Sequence, residues 1–326
     1  MENNNKKRNP IAVVFRHVGS RIWFIVTCVV SVLLIVFSAL AANPSVLGGL
    51  MDQIFGSDRA ITKSGGEAKS TFELDEDINK NDKDKESCRE HANKVTNELC
   101  EEGMVLLKNK NNALPAKTDT TKKISVFGKN STNMAVAGSG SAGDAAEGTT
   151  KNIYDSLTEA GYEINDTLKN FYKNDSTKRS SNPSMDSGVA TLDIGETPVS
   201  KYTDAVKNSF NNYKDMAVIF LTRIGGEGFD LPRAQSNDST RTFLDLDKDE
   251  EDMINLVTSS GFKKVVVLVN AANQLNCSKL EANDKIDSVL WIGFPGAQGV
   301  MAAGKILNGT VNPSGHLSDT YVKDFK

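Results

Sequence analysis

Four short apolar runs limit the folds open to this chain: Ile124–Phe127, Met216–Leu221, Val265–Val269 and Val289–Ile292. They are rich in Val and Ile, as strands covered on both faces of a sheet are. Helical stretches lie between them. One covers Asp247–Ser260, where Asp247 can cap the first turn, Glu250 sits three residues on and Gly261 terminates. Another covers Ala297–Asn308, closed by Gly309 and followed by the turn Asn312-Pro313-Ser314-Gly315; a third spans Asn152–Ala160 and ends at Gly161. Strands separated by helices of this length predict an α/β fold around a mostly parallel sheet. The segment Val95–Asn109 also carries a helical pattern, whereas residues 173–200 lack an apolar period and read as a long surface insertion.

Ahead of this region, residues 22–42 read IWFIVTCVVSVLLIVFSALAA without a charge. At about 1.5 Å per residue such a helix crosses a hydrocarbon core of roughly 30 Å. Thr27, Ser31 and Ser38 can return their hydroxyls to the helix backbone. Lys6, Lys7, Arg8, Arg16 and Arg21 precede it and give residues 1–21 a balance of +4. That asymmetry places the N-terminus in the cytoplasm and exports the remainder of the chain. A cleaved signal peptide, with Ala39-Leu40-Ala41 as the cleavage site, is the competing reading. The apolar stretch is longer than a signal core, which favours a retained anchor. A buried core helix is disfavoured, because the segment has no polar face. The expected organisation is a cytoplasmic segment (1–21), a membrane anchor (22–42), a polar stalk (43–90) and a folded domain (91–326), single-pass in the cell membrane with residues 43–326 outside the cytoplasm.

The rest of the chain must carry −8, since the total is −4. An acidic body excludes a nucleic-acid surface, which needs clustered Lys and Arg. The three His and four Cys have no zinc-ligand spacing, so no metal and no cofactor is expected. Cys88 and Cys100 are open to a disulfide outside the cell, or to small apolar roles. Six Asn-x-Ser/Thr sites, Asn130 and Asn308 among them, matter only in a eukaryotic secretory pathway.

Three glycine-containing constellations are candidates for chemistry. Gly138-Ser139-Gly140-Ser141-Ala142-Gly143 fits G-x-G-x-x-G, with Glu163 twenty residues beyond. A dinucleotide role needs the first Gly to end a strand and the last to open a helix, and neither spacing fits. A Gly/Ser loop lining a pocket, with Ser139 and Ser141 toward substrate, suits it better. The second constellation is Arg223-Ile224-Gly225-Gly226-Glu227-Gly228-Phe229-Asp230, directly after an apolar strand. Ligands bind outside the carboxyl ends of parallel strands. A carboxylate among three glycines can be approached closely by a bulky polar ligand, and Asp230 and Arg233 suit sugar hydroxyls or tuning of that carboxylate. A tight turn with a solvated Glu explains the spacing equally well. The third, Trp291–Gly296 with Asn312–Leu317, gives turn signals, and His316 suits a structural hydrogen bond. No Ser/His/Asp set is present.

Taken together, EEGMVLLKNKNNALP (101–115), KKISVFGKN, the GSGS loop, RIGGEGFD, VVVLVNAANQ, WIGFPGAQG and NPSGHLSDTY resemble the α/β sandwich domain of family-3 glycoside hydrolases of the β-glucosidase type over residues 91–326. The resemblance implies a six-stranded α/β sandwich that works with a separate (β/α)8 barrel. In that family the barrel supplies an aspartate nucleophile and the sandwich supplies the glutamate acid/base. Glu227 matches that glutamate; Arg223, Gly226, Gly228 and Asp230 match its surroundings, and the resemblance implies that they contact substrate. His316 replaces the usual Arg after NPSG, with an effect expected on packing more than chemistry.

No barrel is read in this sequence. The expectation is the front part of a membrane-anchored, reversed-domain-order enzyme: a retaining, exo-acting β-glycosidase domain for oligo- or aryl-β-glycosides. It is inactive by itself and is completed by a barrel in cis or in trans. A non-catalytic cell-surface module binding saccharide or protein is the alternative.

Overall fold

The computed structural model describes residues 18–41, 82–139, 150–180, 191–226 and 230–323. The chain divides into two compact units, Met1–Glu73 and Leu74–Lys326. In the first, helix α1 (Val18–Ala41) contains a 21-residue stretch, Gly19–Ala39, that is long and apolar enough to cross a membrane. A signal sequence meets the same test. Its large side chains are exposed, Trp23 at 72%, so a soluble core helix is excluded as its role. Thr27 Oγ1 donates to Trp23 O at 2.8 Å, satisfying the hydroxyl within the helix.

The second unit runs α2 (Asp82–Gly103), β1 (Val105–Asn109), β2 (Lys123–Phe127), α3 (Ile153–Glu159), β3 (Glu163–Ile164), α4 (Asp166–Asn174), α5 (Asp204–Ser209), β4 (Met216–Thr222), α6 (Lys248–Ser259), β5 (Val265–Asn270), α7 (Ser278–Ala282), β6 (Ser288–Trp291) and α8 (Met301–Asn308). The sheet has six strands in the order β1-β6-β5-β4-β2-β3. All neighbours are parallel except β1, which runs antiparallel to β6.

Alternation along the central strands builds both cores. Val218, Phe220, Val266, Leu268 and Leu290 pack with α3 and α8 on one face. Ala217, Ile219, Leu221, Val267 and Val269 pack with α4, α5 and α6 on the other. A sheet covered twice leaves no polar alternation, hence the unbroken apolar runs. The caps are local. Asp247 and Glu250 form a capping box on α6, Asn152 and Asp155 form one on α3, and Gly309 ends α8 in the left-handed region at φ 86°.

Several expectations need correction. The helical pattern over Val95–Asn109 stops at Gly103, and Val105–Asn109 is the antiparallel edge strand. Leu106 and Leu107 pack on opposite cores there, which a strand allows and a helix does not. The stretch assigned to the stalk gives way to helix at Asp82, where exposed i,i+3 and i,i+4 charge pairs such as Arg89–Glu86 and Lys94–Glu98 support it; residues 43–81 lie outside the described residues. The 173–200 segment is not wholly superficial. Leu192, Ile194, Glu196 and Thr197 are buried, and Leu192 and Ile194 pack with Ile224 and Phe243. His316 is exposed and so has little packing to alter. Cys88 and Cys100 share one helix, about 18 Å apart along its axis, out of bonding range; the cysteines of the described residues are free.

Candidate functional site

Both glycine loops emerge at the carboxyl edge of the sheet, and the fold brings them into contact. Ser139 and Gly226 form an isolated parallel bridge, and Ser139 N donates to Gly225 O at 3.1 Å. Glycine is what permits this approach. A Cβ on Gly226 would lie 2.0 Å from Ser139 Oγ and 2.5 Å from Ser139 O; one on Gly138 would lie 2.9 Å from Gly225 O. Nothing in the sequence announces this pairing of residues 87 positions apart.

Arg223 lies beneath the loop rather than on it. Its side chain is fully buried and forms a bidentate pair with Glu250, at 2.7 Å from Nη1 and 2.6 Å from Nη2. Nε donates to Phe243 O, Nη1 also to Thr222 O, and Nη2 also to Asp245 O. All five N–H donors are thereby used. Burial pulls this guanidinium down, but Glu250, Asp247 and Asp245 outweigh it, and its pKa ends above the ordinary value. Glu250 in turn accepts from Asp247 N at 3.0 Å and so links the ion pair to the start of α6. Burial, then the neighbouring Glu250 charge, pushes the Asp247 carboxyl up to about 7. The expected direct contact of Arg223 with substrate therefore has no donor behind it.

Asn270, the last residue of β5, was assigned no role from the sequence and is the rivet of this edge. Its Nδ2 donates to Ala135 O at 2.8 Å and Gly293 O at 2.7 Å; its Oδ1 accepts from Ala135 N and Thr222 Oγ1. One buried amide thus joins the segments following β2, β4 and β6. The signal available was a polar residue closing an otherwise apolar central strand. Gly296 N donates to Val136 O, adding a second tie. Beneath the β2 loop, buried Glu196 accepts from Lys129 N and Thr197 N, and burial raises its pKa well above the ordinary range.

Ser139 is 4% exposed and its Oγ has no hydrogen-bond partner; Asn273 Oδ1, which stands 3.6 Å from a Cβ built on Gly225, has none either. Two unpaired polar atoms thus flank the Gly225–Gly226 turn. Asp230 and Arg233 are exposed. Glu227, Gly228 and Ser141 lie outside the described residues. Among the described residues no group of His, Cys, Asp or Glu is arranged to hold a metal ion. The dinucleotide reading of Gly138–Gly143 loses its acidic partner. Glu163 begins β3 at the amino end of the sheet, opposite Lys123, and pairs with Lys122 at 3.2 Å.

Comparison with known proteins gives this geometry a context. The family profile "Glycosyl hydrolase family 3 C-terminal domain" matches residues 104–326. Beta-glucosidase A of Butyrivibrio fibrisolvens is 31% identical over 241 residues, covering 68% of this chain and 27% of that protein. Probable beta-D-xylosidase 6 of Arabidopsis thaliana is 24% identical over 235 residues, covering 72% of this chain and 26% of that protein. The chain thus spans about a quarter of the length of the curated relatives it matches. The structure of beta-glucosidase 3B from Thermotoga neapolitana in complex with glycerol superposes with a TM-score of 0.58 at 27% identity, over 72% of this chain and 31% of that one. With the profile covering most of the chain and the same fold recovered in a solved β-glucosidase, this protein belongs to glycosyl hydrolase family 3, and its α/β unit is that family's C-terminal domain.

Proposed function

We propose that this domain carries the acid/base of a retaining, exo-acting β-glycosidase, with Glu227 as the proton donor. The bridge between Ser139 and Gly226 carries the reading. It anchors the residue directly before Glu227 to a second glycine loop, at the sheet edge where α/β folds receive ligands. Glu227 protonates the departing sugar oxygen and later activates water, while a carboxylate roughly 5–5.5 Å away forms the glycosyl-enzyme bond. Gly226 and Gly228 leave space for the sugar. Asp230, Ser139 and Ser141 contribute polar contacts, and Arg223 acts as a positioning residue through its backbone. The second carboxylate is assigned to a (β/α)8 barrel acting in cis or in trans. Closure of that barrel over the loop supplies the desolvation and negative charge that raise the pKa of a donor.

Helix α1 is proposed to hold the protein in the cell membrane in a single pass. The five basic residues before and at its start retain the N-terminus in the cytoplasm and leave residues 43–326 outside.

The test uses aryl β-glucosides of graded leaving-group pKa. Residues 1–326 alone are expected to turn them over negligibly, and robust turnover would refute the need for a barrel. With the barrel present, Glu227→Ala is expected to lower kcat/KM about 10²–10⁴-fold on poor leaving groups and far less on good ones. Equal loss on both would refute an acid role.

A further inference from the structure

A cleft of about 550 Å³ opens beside the loop that follows β2. That volume lies in the range of ligand pockets, and the walls combine polar and apolar surface. Lys151, Lys169 and Lys173 stand on its lining, which has no carboxylate among the described residues. Some lysines of this acidic chain pair with acids, as Lys110 does with Asp284, Lys201 with Asp175, Lys263 with Asp215 and Lys305 with Glu101. No ion pair engages any of the three cleft lysines among the described residues. Lys169 and Lys173 are also one turn apart on α4, a like-charge spacing that a helix disfavours unless an anion lies between them.

The cleft is built rather than incidental. Lys151 is delivered by its backbone bond to Ala297 O at 2.7 Å. Lys169 Nζ sits 4.7 Å from the centre of the Tyr154 ring, and that ring is pinned by the 2.8 Å bond between its hydroxyl and Ser131 Oγ. Arg179 clamps the opposite wall through Asn133 O and Met134 O. Asn152 spends its Oδ1 on capping α3 and keeps its amide N–H groups for a ligand. The wall formed by residues 131–136 runs on within three residues into Ser139, the partner of Gly226.

We propose that this cleft binds an acidic saccharide unit, its carboxylate among the three ammonium groups and its hydroxyls on the amides of the wall. The anion site rests on the lysines alone. Its assignment to a saccharide rests on the glycosidase reading.

Calorimetric titration of the full detergent-solubilised chain tests this without reading turnover, so its failure leaves the Glu227 reading standing and the reverse also holds. The probes are a glucuronic-acid-containing disaccharide, the same disaccharide with its carboxyl reduced to the alcohol, and inorganic phosphate. The acidic disaccharide is expected to bind at least about tenfold more tightly than the reduced one, and more weakly as salt rises. Its affinity should fall about tenfold or more in Lys151→Ala/Lys169→Ala/Lys173→Ala and be retained when all three are Arg. Because a triple variant can misfold, Lys173→Glu alone is the second variant, with loss of the preference for the acidic sugar expected. Equal binding of both disaccharides, phosphate binding as tightly as the acidic sugar, no effect of the lysine variants, or no binding at all would each overturn the proposal.

Discussion

Glu250→Ala removes one half of an ion pair in which both side chains are sealed from water, at 0% and 1% exposure. Arg223 is then left with a buried charge and two unpaired donors, and Asp247 N loses its acceptor. Breaking such a pair costs about 3–5 kcal/mol. At about 2–4 °C per kcal/mol for a domain of this size, the thermal midpoint should fall by roughly 6–20 °C. The double replacement Arg223→Met/Glu250→Leu removes both charges and is expected to cost less than the two single changes together, by about 1–3 kcal/mol of coupling. The assay is chemical denaturation followed by near-ultraviolet circular dichroism, paired with hydrogen exchange at Ser139 N, whose bond to Gly225 O reports the loop. A cost under about 1 kcal/mol for Glu250→Ala, or strict additivity of the two changes, would refute the reasoning.

Two further predictions rest on the same edge. Gly226→Ala places a Cβ 2.5 Å from Ser139 O and 2.6 Å from Ser139 N, backbone atoms that cannot rotate away. It should cost about 1–3 kcal/mol in a denaturation measurement, and Ser139→Gly should not rescue it; rescue would mean that the hydroxyl alone is the obstacle. Asp247 titrates near 7 in the folded protein against an ordinary value of 3.8, so the folded state holds its proton more tightly than the unfolded chain does. Its contribution to stability therefore declines as pH rises from about 4 to 7. Asp247→Asn keeps an oxygen for capping Glu250 N, and its stability relative to the unmodified protein should increase across that window; a difference that does not change with pH would contradict the assignment.

Much of the fold was legible because its determinants are local. The capping box of Asp247 and Glu250, the cap at Asn152 and the stop at Gly309 all act within a few residues of one another. The apolar runs located β2, β4, β5 and β6 within a residue or so at each end, since strands buried on two faces leave little else to read. Edge strand β1 was missed because Met104–Leu107 offers four apolar residues in a row, a pattern that fits either period. Only the break at Gly103 and pairing with β6, almost two hundred residues away, decide it. The site was legible as residue types but not as geometry. Arg223 reads as a ligand contact when the acid that consumes it, Glu250, belongs to a different element. Asn270 reads as a strand end until three loops are seen to meet on its amide.

The polar devices beneath the glycine loops act together on one turn. An apolar filling in place of the Arg223–Glu250 pair would commonly be as stable or more so, so the pair is poorly explained as a stabiliser. Its contribution is direction: three guanidinium donors, oriented by the two that engage Glu250, hold the backbone of Thr222, Phe243 and Asp245 in one arrangement and so fix where Ile224–Gly226 leaves the sheet. Asn270 does the same for the segments after β2 and β6. Both lie at the carboxyl edge; the amino edge has its own buried ties, Ser288 Oγ to Asn109 Oδ1 and Ser125 Oγ to Tyr213 O, beside charge pairs such as Asp215 with Lys263 and Lys122 with Glu163. Buried polar groups placed under two glycine loops whose backbones touch are what a fold needs to present one short turn in one position. Loosening the pair should therefore disorder the Ser139–Gly226 bridge before it unfolds the sheet, with exchange at Ser139 N rising while amides in β4 and β5 stay protected. Simultaneous loss of protection in both would show that the pair supports the core rather than the turn.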